Sequence, residues 1–132
     1  EFLIFKILEA AHRTLQGINT LKQVHDNGAA KNGQFKIAAD ALKLAEACIE
    51  GGMTSLEISF TTPSTLEVIK TLTERFGDRI LIGAGTVLDT ETARLAILAG
   101  AQFILAPSLN AEVIRLCNRY QVVSMPGVAS AT

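Results

Sequence analysis

Tryptophan is absent from this chain of 132 residues, and cysteine and histidine occur only twice each. Two cysteines without CxxC spacing form neither a disulfide framework nor a zinc site, so Cys48 and Cys117 are predicted to be buried, reduced thiols. His12 and His25 have no carboxylate or cysteine at ligand spacing, which predicts surface histidines and no metal site. These scarcities favour a cytoplasmic protein that holds no metal.

The chain also lacks an excess of charge of one sign, because it has 12 Lys and Arg residues and 13 Asp and Glu residues, which gives a net charge of −1. Such a balance lacks the basic footprint of nucleic-acid binding. No apolar run approaches the roughly 18 uncharged residues of a membrane span, and the first five residues lack the basic start of a signal peptide. With 48% hydrophobic residues and a mean hydropathy of +0.32, the chain is expected to form one globular domain.

From residue 37 onward, helical patterns alternate with short apolar stretches. We predict a helix over 37–49, further helices beginning after Pro63-Ser64, at Asp89 or Thr90 and at Asn110, and strands at 56–60, 80–82, 103–106 and 122–125. In the third of these helices, Leu95, Leu98 and Ala99 are expected to face inward. The alternation predicts a parallel sheet with right-handed crossovers. The strands start roughly 19 to 24 residues apart, a spacing normal for barrels, so the predicted fold class is α/β, a partial (β/α)8 TIM barrel of about four βα units.

The chain divides into two parts in this interpretation. Residues 37–132 are assigned to the front half of a barrel. Residues 1–36 are assigned to a separate N-terminal segment. It is expected to form one helix over 2–24, or two helices broken near Gly17, and a polar, glycine-bearing loop over 24–35.

A dinucleotide-binding sheet is the competing fold. Its glycine fingerprint would fall on residues 83–88, where Leu88 occupies the place of the third glycine. No acidic residue about twenty positions later ends a second strand either. The barrel is therefore favoured.

The predicted strand at 56–60 carries an acidic residue in its interior. Because side chains alternate along a strand, the apolar residues Leu56, Ile58 and Phe60 share one face, and Glu57, Ser59 and Thr61 share the other. The apolar set is expected to pack under the helices, which turns Glu57 toward the barrel interior. An unpaired buried carboxylate costs several kcal/mol or has its pKa raised, so this residue is either functional or solvated near the end of the strand.

Four motifs, in order, resemble those of one enzyme family. They are residues 50–63 (EGGMTSLEISFTTP), 82–88 (IGAGTVL), 100–107 (GAQFILAP) and 125–129 (MPGVA). The family is the class I aldolases that act on 2-keto-3-deoxy-6-phosphogluconate and 4-hydroxy-2-oxoglutarate. The ordered set is similar to the family pattern from residue 41 to about residue 132.

The resemblance implies roles for four residues. Glu57 matches the general acid/base, Thr86 a contact of the pyruvate carboxylate, and Pro107 a pocket wall at a strand end. Thr61 falls where many members carry a substrate-binding arginine, which leaves the preferred substrate open. The family also implies a cytoplasmic homotrimer that acts on a small keto acid in carbohydrate metabolism and needs no metal or cofactor.

The family forms a Schiff base on a lysine of a strand beyond the PGV motif, a strand that does not lie within residues 1–132. The chain's own lysines are expected on the surface: Lys6, Lys22, Lys31, Lys36, Lys43 and Lys70. The main hypothesis is therefore an aldolase whose lysine lies beyond this chain. The alternatives are a non-catalytic half-barrel that serves as a binding or structural module, and another phosphate-binding barrel lyase or isomerase.

An incomplete barrel would have two unpaired sheet edges and an unfilled interior. We therefore expect the isolated 132-residue polypeptide to self-associate, which sedimentation velocity would detect as species larger than a monomer. A monomer with a sharp melting transition would contradict this expectation.

Overall fold

The computed structural model of the protein describes residues 33–130. Within this range lie four helices, α1 (Gly33–Glu50), α2 (Thr65–Phe76), α3 (Thr90–Leu98) and α4 (Ala111–Tyr120), and four strands, β1 (Ser55–Ser59), β2 (Leu81–Gly85), β3 (Phe103–Ala106) and β4 (Val123–Pro126). The strands form one parallel sheet in the order β1-β2-β3-β4. The predicted α/β alternation is therefore confirmed.

Two element boundaries differ from the sequence prediction by three or more residues, and the other strand ends differ by at most one. Helix α1 begins at Gly33, so residues 33–35, which were expected to be loop, are helical. Strand β2 continues through Gly83 to Gly85 because parallel pairing with β1 supplies its hydrogen bonds, whatever the strand preference of glycine. The predicted helix over residues 2–24 and the expected positions of His12 and His25 lie outside the described residues.

The two faces of the sheet differ sharply in character. The outer face packs under the helices with buried aliphatic side chains, namely Leu56, Ile58, Ile82, Ala84 and Ile104. The inner face carries Glu57 and Ser59 on β1 and two glycines on β2. Farther along the same face, Val123 and Met125 of β4 are exposed. The alternation predicted for β1 is therefore confirmed, and it places the polar side chains on the inner face.

The periodicity of α2 and α4 predicts inward residues, most of which are buried, whereas Leu66 and Ile114 are only partly buried. Ile69, Leu72 and Phe76 of α2 are buried, as are Val113 and Cys117 of α4. In both cases a row of residues three or four apart faces the sheet. The amphipathic pattern alone therefore oriented these two helices correctly.

The prediction for α3 was wrong for Leu95 and Leu98 and right for Ala99, which directly follows the helix and packs against the core. Leu95 and Leu98 are 51% and 63% exposed, whereas Ala93 and Ala96 are fully buried. The alanines, three positions apart, lie on one face. Their small side chains let the helix backbone come close to the sheet, so the larger leucines are turned outward.

The two cysteines and the helical lysines lie where they were predicted. Cys48 and Cys117 are free and buried, and burial raises the pKa of both thiols. Lys43 on α1 and Lys70 on α2 are exposed. Among the described residues, no helix is long and apolar enough to cross a membrane.

Side-chain caps fix the turns between the strand ends and the helices that follow them. The Asp89 carboxylate accepts a hydrogen bond from the backbone N–H of Thr92 at 2.7 Å, and this bond lowers the pKa of Asp89. Asn110 Oδ1 accepts from the N–H groups of Glu112 and Val113. These contacts satisfy N–H groups that the first helical turn cannot, and they confirm Asp89 and Asn110 as the caps of α3 and α4.

Replacement of Leu72 by alanine should lower the free energy of unfolding by about 2–5 kcal/mol, because it leaves a cavity at a site with no solvent exposure. Urea denaturation measures the change. Leu98→Ala is the matched control, since this exposed leucine should cost no more than about 0.5 kcal/mol. Equal losses from the two variants would contradict the packing described for α2 and α3.

Candidate active site

The carboxylate of Glu57 lies on the inner face of the sheet, over Gly85 of the neighbouring strand. A Cβ added at Gly85 would overlap the Glu57 carboxyl group. Ser59 pairs with Gly85 in the register of the two strands, and Glu57 pairs with Gly83. The absence of a side chain at Gly85 therefore creates the space that the carboxylate occupies.

Gly83 clears space for an aromatic ring in the same way. A Cβ on Gly83 would overlap the ring of Phe103, which extends from β3 across β2 and is 8% exposed. The ring thus covers the backbone of β2 at the position that pairs with Glu57. It provides an apolar surface on this part of the inner face.

The position of Glu57 changes its acidity. The residue as a whole is exposed to the open inner face, but its carboxyl end lies against β2, and this partial burial raises the pKa of Glu57. Burial disfavours the charged carboxylate because it removes water from around the charge. A carboxyl group with a raised pKa can both accept and return a proton nearer to neutral pH.

Three hydroxyl groups form a row beside this carboxylate. Ser59 Oγ lies 2.8 Å from Thr86 Oγ1 and 2.9 Å from Thr61 Oγ1. Thr86 immediately follows β2, and Thr61 lies in the turn after β1, so the row joins the carboxyl ends of two adjacent strands. We name these three residues, Thr61, Ser59 and Thr86, the hydroxyl row.

The backbone at Thr86 adopts an unusual conformation. Its φ is 58°, in the left-handed region that a β-branched residue rarely occupies. Neighbouring contacts hold it there, because the Val87 N–H donates to the carbonyl of Leu105 at 3.1 Å and the Thr86 hydroxyl bonds to Ser59. Conformations of this kind cost about 1–3 kcal/mol and cluster at functional sites.

Pro107 lies at the same edge of the sheet, directly after β3. Its side chain is exposed, and the Gly127 N–H donates to the carbonyl of the preceding Ala106 at 2.7 Å. The four residues singled out from the sequence therefore all lie at the carboxyl-end edge or on the inner face. Side-chain hydrogen bonds connect Thr61 and Thr86 through Ser59.

Sequence reasoning assigned no role to Ser59, Gly83, Gly85 or Phe103. The period of two along β1 put Ser59 on the same face as Glu57, which was the available signal for it. The two glycines also stand two residues apart, so they share a face. What they make room for depends on side chains of other strands.

Neither of the two lysines whose side chains the structure describes supplies an amine on the inner face. Lys43 and Lys70 project from helices, and Lys70 Nζ lies 4.0 Å from the carboxylate of Glu74 on the outer surface of α2. No cluster of three or more histidine, cysteine or acidic side chains that could hold a metal ion occurs in the described part of the chain. The arrangement provides a proton-transfer group, hydroxyl donors and an apolar surface.

Known proteins are similar to this chain in sequence and in fold. The sequence model of the family KDPG and KHG aldolase matches residues 34–132. The 2-dehydro-3-deoxy-phosphogluconate aldolase of Treponema pallidum (strain Nichols) is 43% identical over 93 residues, which are 70% of this chain and 44% of the relative. The 2-dehydro-3-deoxy-6-phosphogalactonate aldolase of Escherichia coli (strain K12) is 37% identical over 93 residues, 70% of this chain and 45% of the relative.

A solved structure agrees with these sequence matches. The KDPG aldolase from Legionella pneumophila, with pyruvate captured at low pH as a covalent carbinolamine intermediate, aligns with a TM-score of 0.66 and 36% identity over 70% of this chain and 45% of that one. The alignment confirms the predicted partial barrel. This chain spans less than half the length of these relatives.

A titration of Glu57 followed by carbon-13 NMR should give a pKa above the ordinary glutamate value of about 4.3, because partial burial disfavours its charged form. The protonated form is then the more stabilising one. Its contribution to folding is complete below the unfolded-state pKa and is lost as the pH rises through the folded-state value. Glu57→Gln removes this dependence, so its stability relative to wild type should improve as the pH rises from about 4. A measured pKa at or below 4.3 would contradict the burial of this carboxyl group.

Proposed function

The chain belongs to the family of KDPG and KHG aldolases, and on that premise we propose that the whole protein is a class I aldolase. It cleaves 2-keto-3-deoxy-6-phosphogluconate, or 4-hydroxy-2-oxoglutarate, to pyruvate and an aldehyde. The observation that carries the proposal is the Glu57 carboxylate, seated over Gly85 at the strand-end edge with Thr86 next in the chain. Barrel enzymes build their active sites at that edge.

The proposed reaction begins with a lysine amine that condenses with the ketone of the substrate and loses water to give an iminium ion. Neither of the two described lysine side chains lies on the inner face, so the amine is assigned to a part of the protein beyond these residues. The breaking C–C bond leaves its electron pair in the iminium, which becomes an enamine. The carbinolamine captured with pyruvate in the Legionella pneumophila relative supports a covalent reaction between an amine and the keto acid.

Glu57 is proposed to move the protons of this reaction. Its carboxylate takes the proton from the hydroxyl group of the substrate as the C–C bond breaks and the aldehyde forms. The carboxyl group can then return a proton to the enamine carbon, after which water releases pyruvate from the lysine. The raised pKa of Glu57 suits a group that must alternate between the two states.

The remaining site residues are proposed to bind substrate. The Thr86 hydroxyl donates to the carboxylate of the keto acid, since an O–H donor at a strand end matches an anionic acceptor. Pro107 forms part of the pocket wall, and Thr61 lies where the more distant part of the substrate would reach. An exposed threonine hydroxyl at this position has no positive charge that would favour a phosphate group. It therefore does not select between 2-keto-3-deoxy-6-phosphogluconate and 4-hydroxy-2-oxoglutarate.

We also infer the setting in which the protein acts from the family resemblance. It is proposed to be a cytoplasmic homotrimer that needs no metal or cofactor. Sedimentation velocity of the full-length protein tests the trimer directly. A single species with the mass of a monomer would overturn that part of the proposal.

Replacement of Glu57 by glutamine in the full-length protein should lower turnover by roughly 10²- to 10⁴-fold, because the amide cannot transfer protons. Steady-state cleavage assays measure the change. Glu67→Gln on the exposed surface of α2 is the matched control and should leave turnover unchanged. Full activity of the Glu57→Gln variant would contradict the assigned role.

Borohydride reduction in the presence of pyruvate tests the Schiff base separately. The full-length wild-type protein should gain a stable pyruvyl adduct that mass spectrometry locates on one lysine. Absence of the adduct together with absence of cleavage activity would favour the non-catalytic module instead.

A further inference from the structure

Ser59 stands at the centre of the hydroxyl row and makes three polar contacts. Its Oγ lies 2.8 Å from Thr86 Oγ1 and 2.9 Å from Thr61 Oγ1, and it also accepts the backbone N–H of Thr61 at 3.3 Å. A serine hydroxyl has one hydrogen to donate and two lone pairs that accept. The Thr61 N–H uses one lone pair, so Ser59 accepts from one threonine and donates to the other.

The row therefore has only two possible directions. In the first, Thr61 donates to Ser59 and Ser59 donates to Thr86, which leaves the hydrogen of Thr86 free to point away from the row. In the second, the direction is reversed and the free hydrogen belongs to Thr61. A single donor hydrogen is thus available to a ligand, at one end of the row or at the other.

An anionic ligand selects between these directions. A carboxylate is a pure acceptor, so a keto acid whose carboxylate lies at Thr86 requires the first direction. In that direction the Ser59 hydroxyl donates a hydrogen bond to Thr86 Oγ1, which fixes the rotation of the Thr86 hydroxyl. Thr61 then offers lone pairs alone, which suits a substrate hydroxyl better than a second anionic group.

The backbone of Thr86 adds to the importance of this contact. Its φ of 58° is costly for a threonine, and the bond to Ser59 connects it to a strand 27 positions earlier in the chain. Ser59 lies on β1, two residues beyond Glu57 on the same face. The strand that carries the carboxylate thus also holds the residue that orients the Thr86 hydroxyl.

We propose that Ser59 is a positioning residue of the aldolase site, which orients the Thr86 hydroxyl toward the carboxylate of the keto acid by passing a hydrogen bond along the row Thr61–Ser59–Thr86. The inference rests on the proposed function, because it assigns the ligand at Thr86. It assigns a role to the hydroxyl of residue 59, to which the family resemblance gave none. The contact made by Thr86 is present before and during the reaction, so its loss weakens binding without slowing chemistry.

The test compares Ser59→Thr with Ser59→Val in the full-length protein. The two side chains have nearly the same shape, both suit a strand, and they differ in the hydroxyl alone. With pyruvate as a substrate in the condensation direction, Ser59→Val should raise KM by roughly 5- to 30-fold and change kcat by less than about 2-fold, the size expected for one weakened hydrogen bond to a charged group. Ser59→Thr should keep KM within about 3-fold of wild type.

Ser55→Ala is the matched control, since Ser55 lies on the same strand and the same face, two residues on the other side of Glu57. It should leave KM and kcat at their wild-type values. Equal KM values for Ser59→Thr and Ser59→Val would overturn the inference, as would a fall in kcat of both variants with no change in KM.

Borohydride trapping of the wild-type protein separates this inference from the proposed function. If the wild-type protein traps pyruvate and the two variants behave alike, the proposed function stands and the role of Ser59 is wrong. If the wild-type protein traps no pyruvate and cleaves no substrate, the proposed function and the role of Ser59 are both wrong.

Discussion

Each side chain of β1 can lie on only one face of the sheet, because successive side chains of a strand point in opposite directions. Leu56 and Ile58 are 5% and 2% exposed beneath the helices, and their burial fixes the register of the strand. A shift by one residue would place the Glu57 carboxylate among those aliphatic side chains, at a cost of several kcal/mol. The polar inner face of this strand is therefore a consequence of how its apolar side packs.

The two glycines of β2, Gly83 and Gly85, leave space on the inner face for side chains of the neighbouring strands. A side chain at position 83 or 85 would occupy the place of the Phe103 ring or the Glu57 carboxylate. Because neither glycine has a side chain, the Glu57 carboxyl group and the Phe103 ring can both lie over the backbone of β2. Partial burial raises the pKa of Glu57, so a property that suits proton transfer depends on the missing side chain at Gly85.

Family membership indicates what chemistry the inner face of the sheet would serve. The described residues provide a carboxyl group and a row of hydroxyls, and the side chains of Lys43 and Lys70 project from the helices. The relatives are more than twice as long as the matched segment. The proposed imine-forming reaction therefore needs a contribution from outside the described residues, while the proposed proton transfer and carboxylate binding involve residues within them.

The sequence by itself determined the features that are encoded locally. The order of strands and helices, the inner face of Glu57, the caps at Asp89 and Asn110 and the buried side of α4 all follow from spacings of two to four residues. The tertiary structure alone decided the extension of β2 through two glycines, the outward turn of Leu95 and Leu98, the carboxylate over Gly85 and the bond between Ser59 and Thr86. Each of these depends on a partner from another element, and periodicity within one segment carries no information about what a neighbouring strand or helix presents.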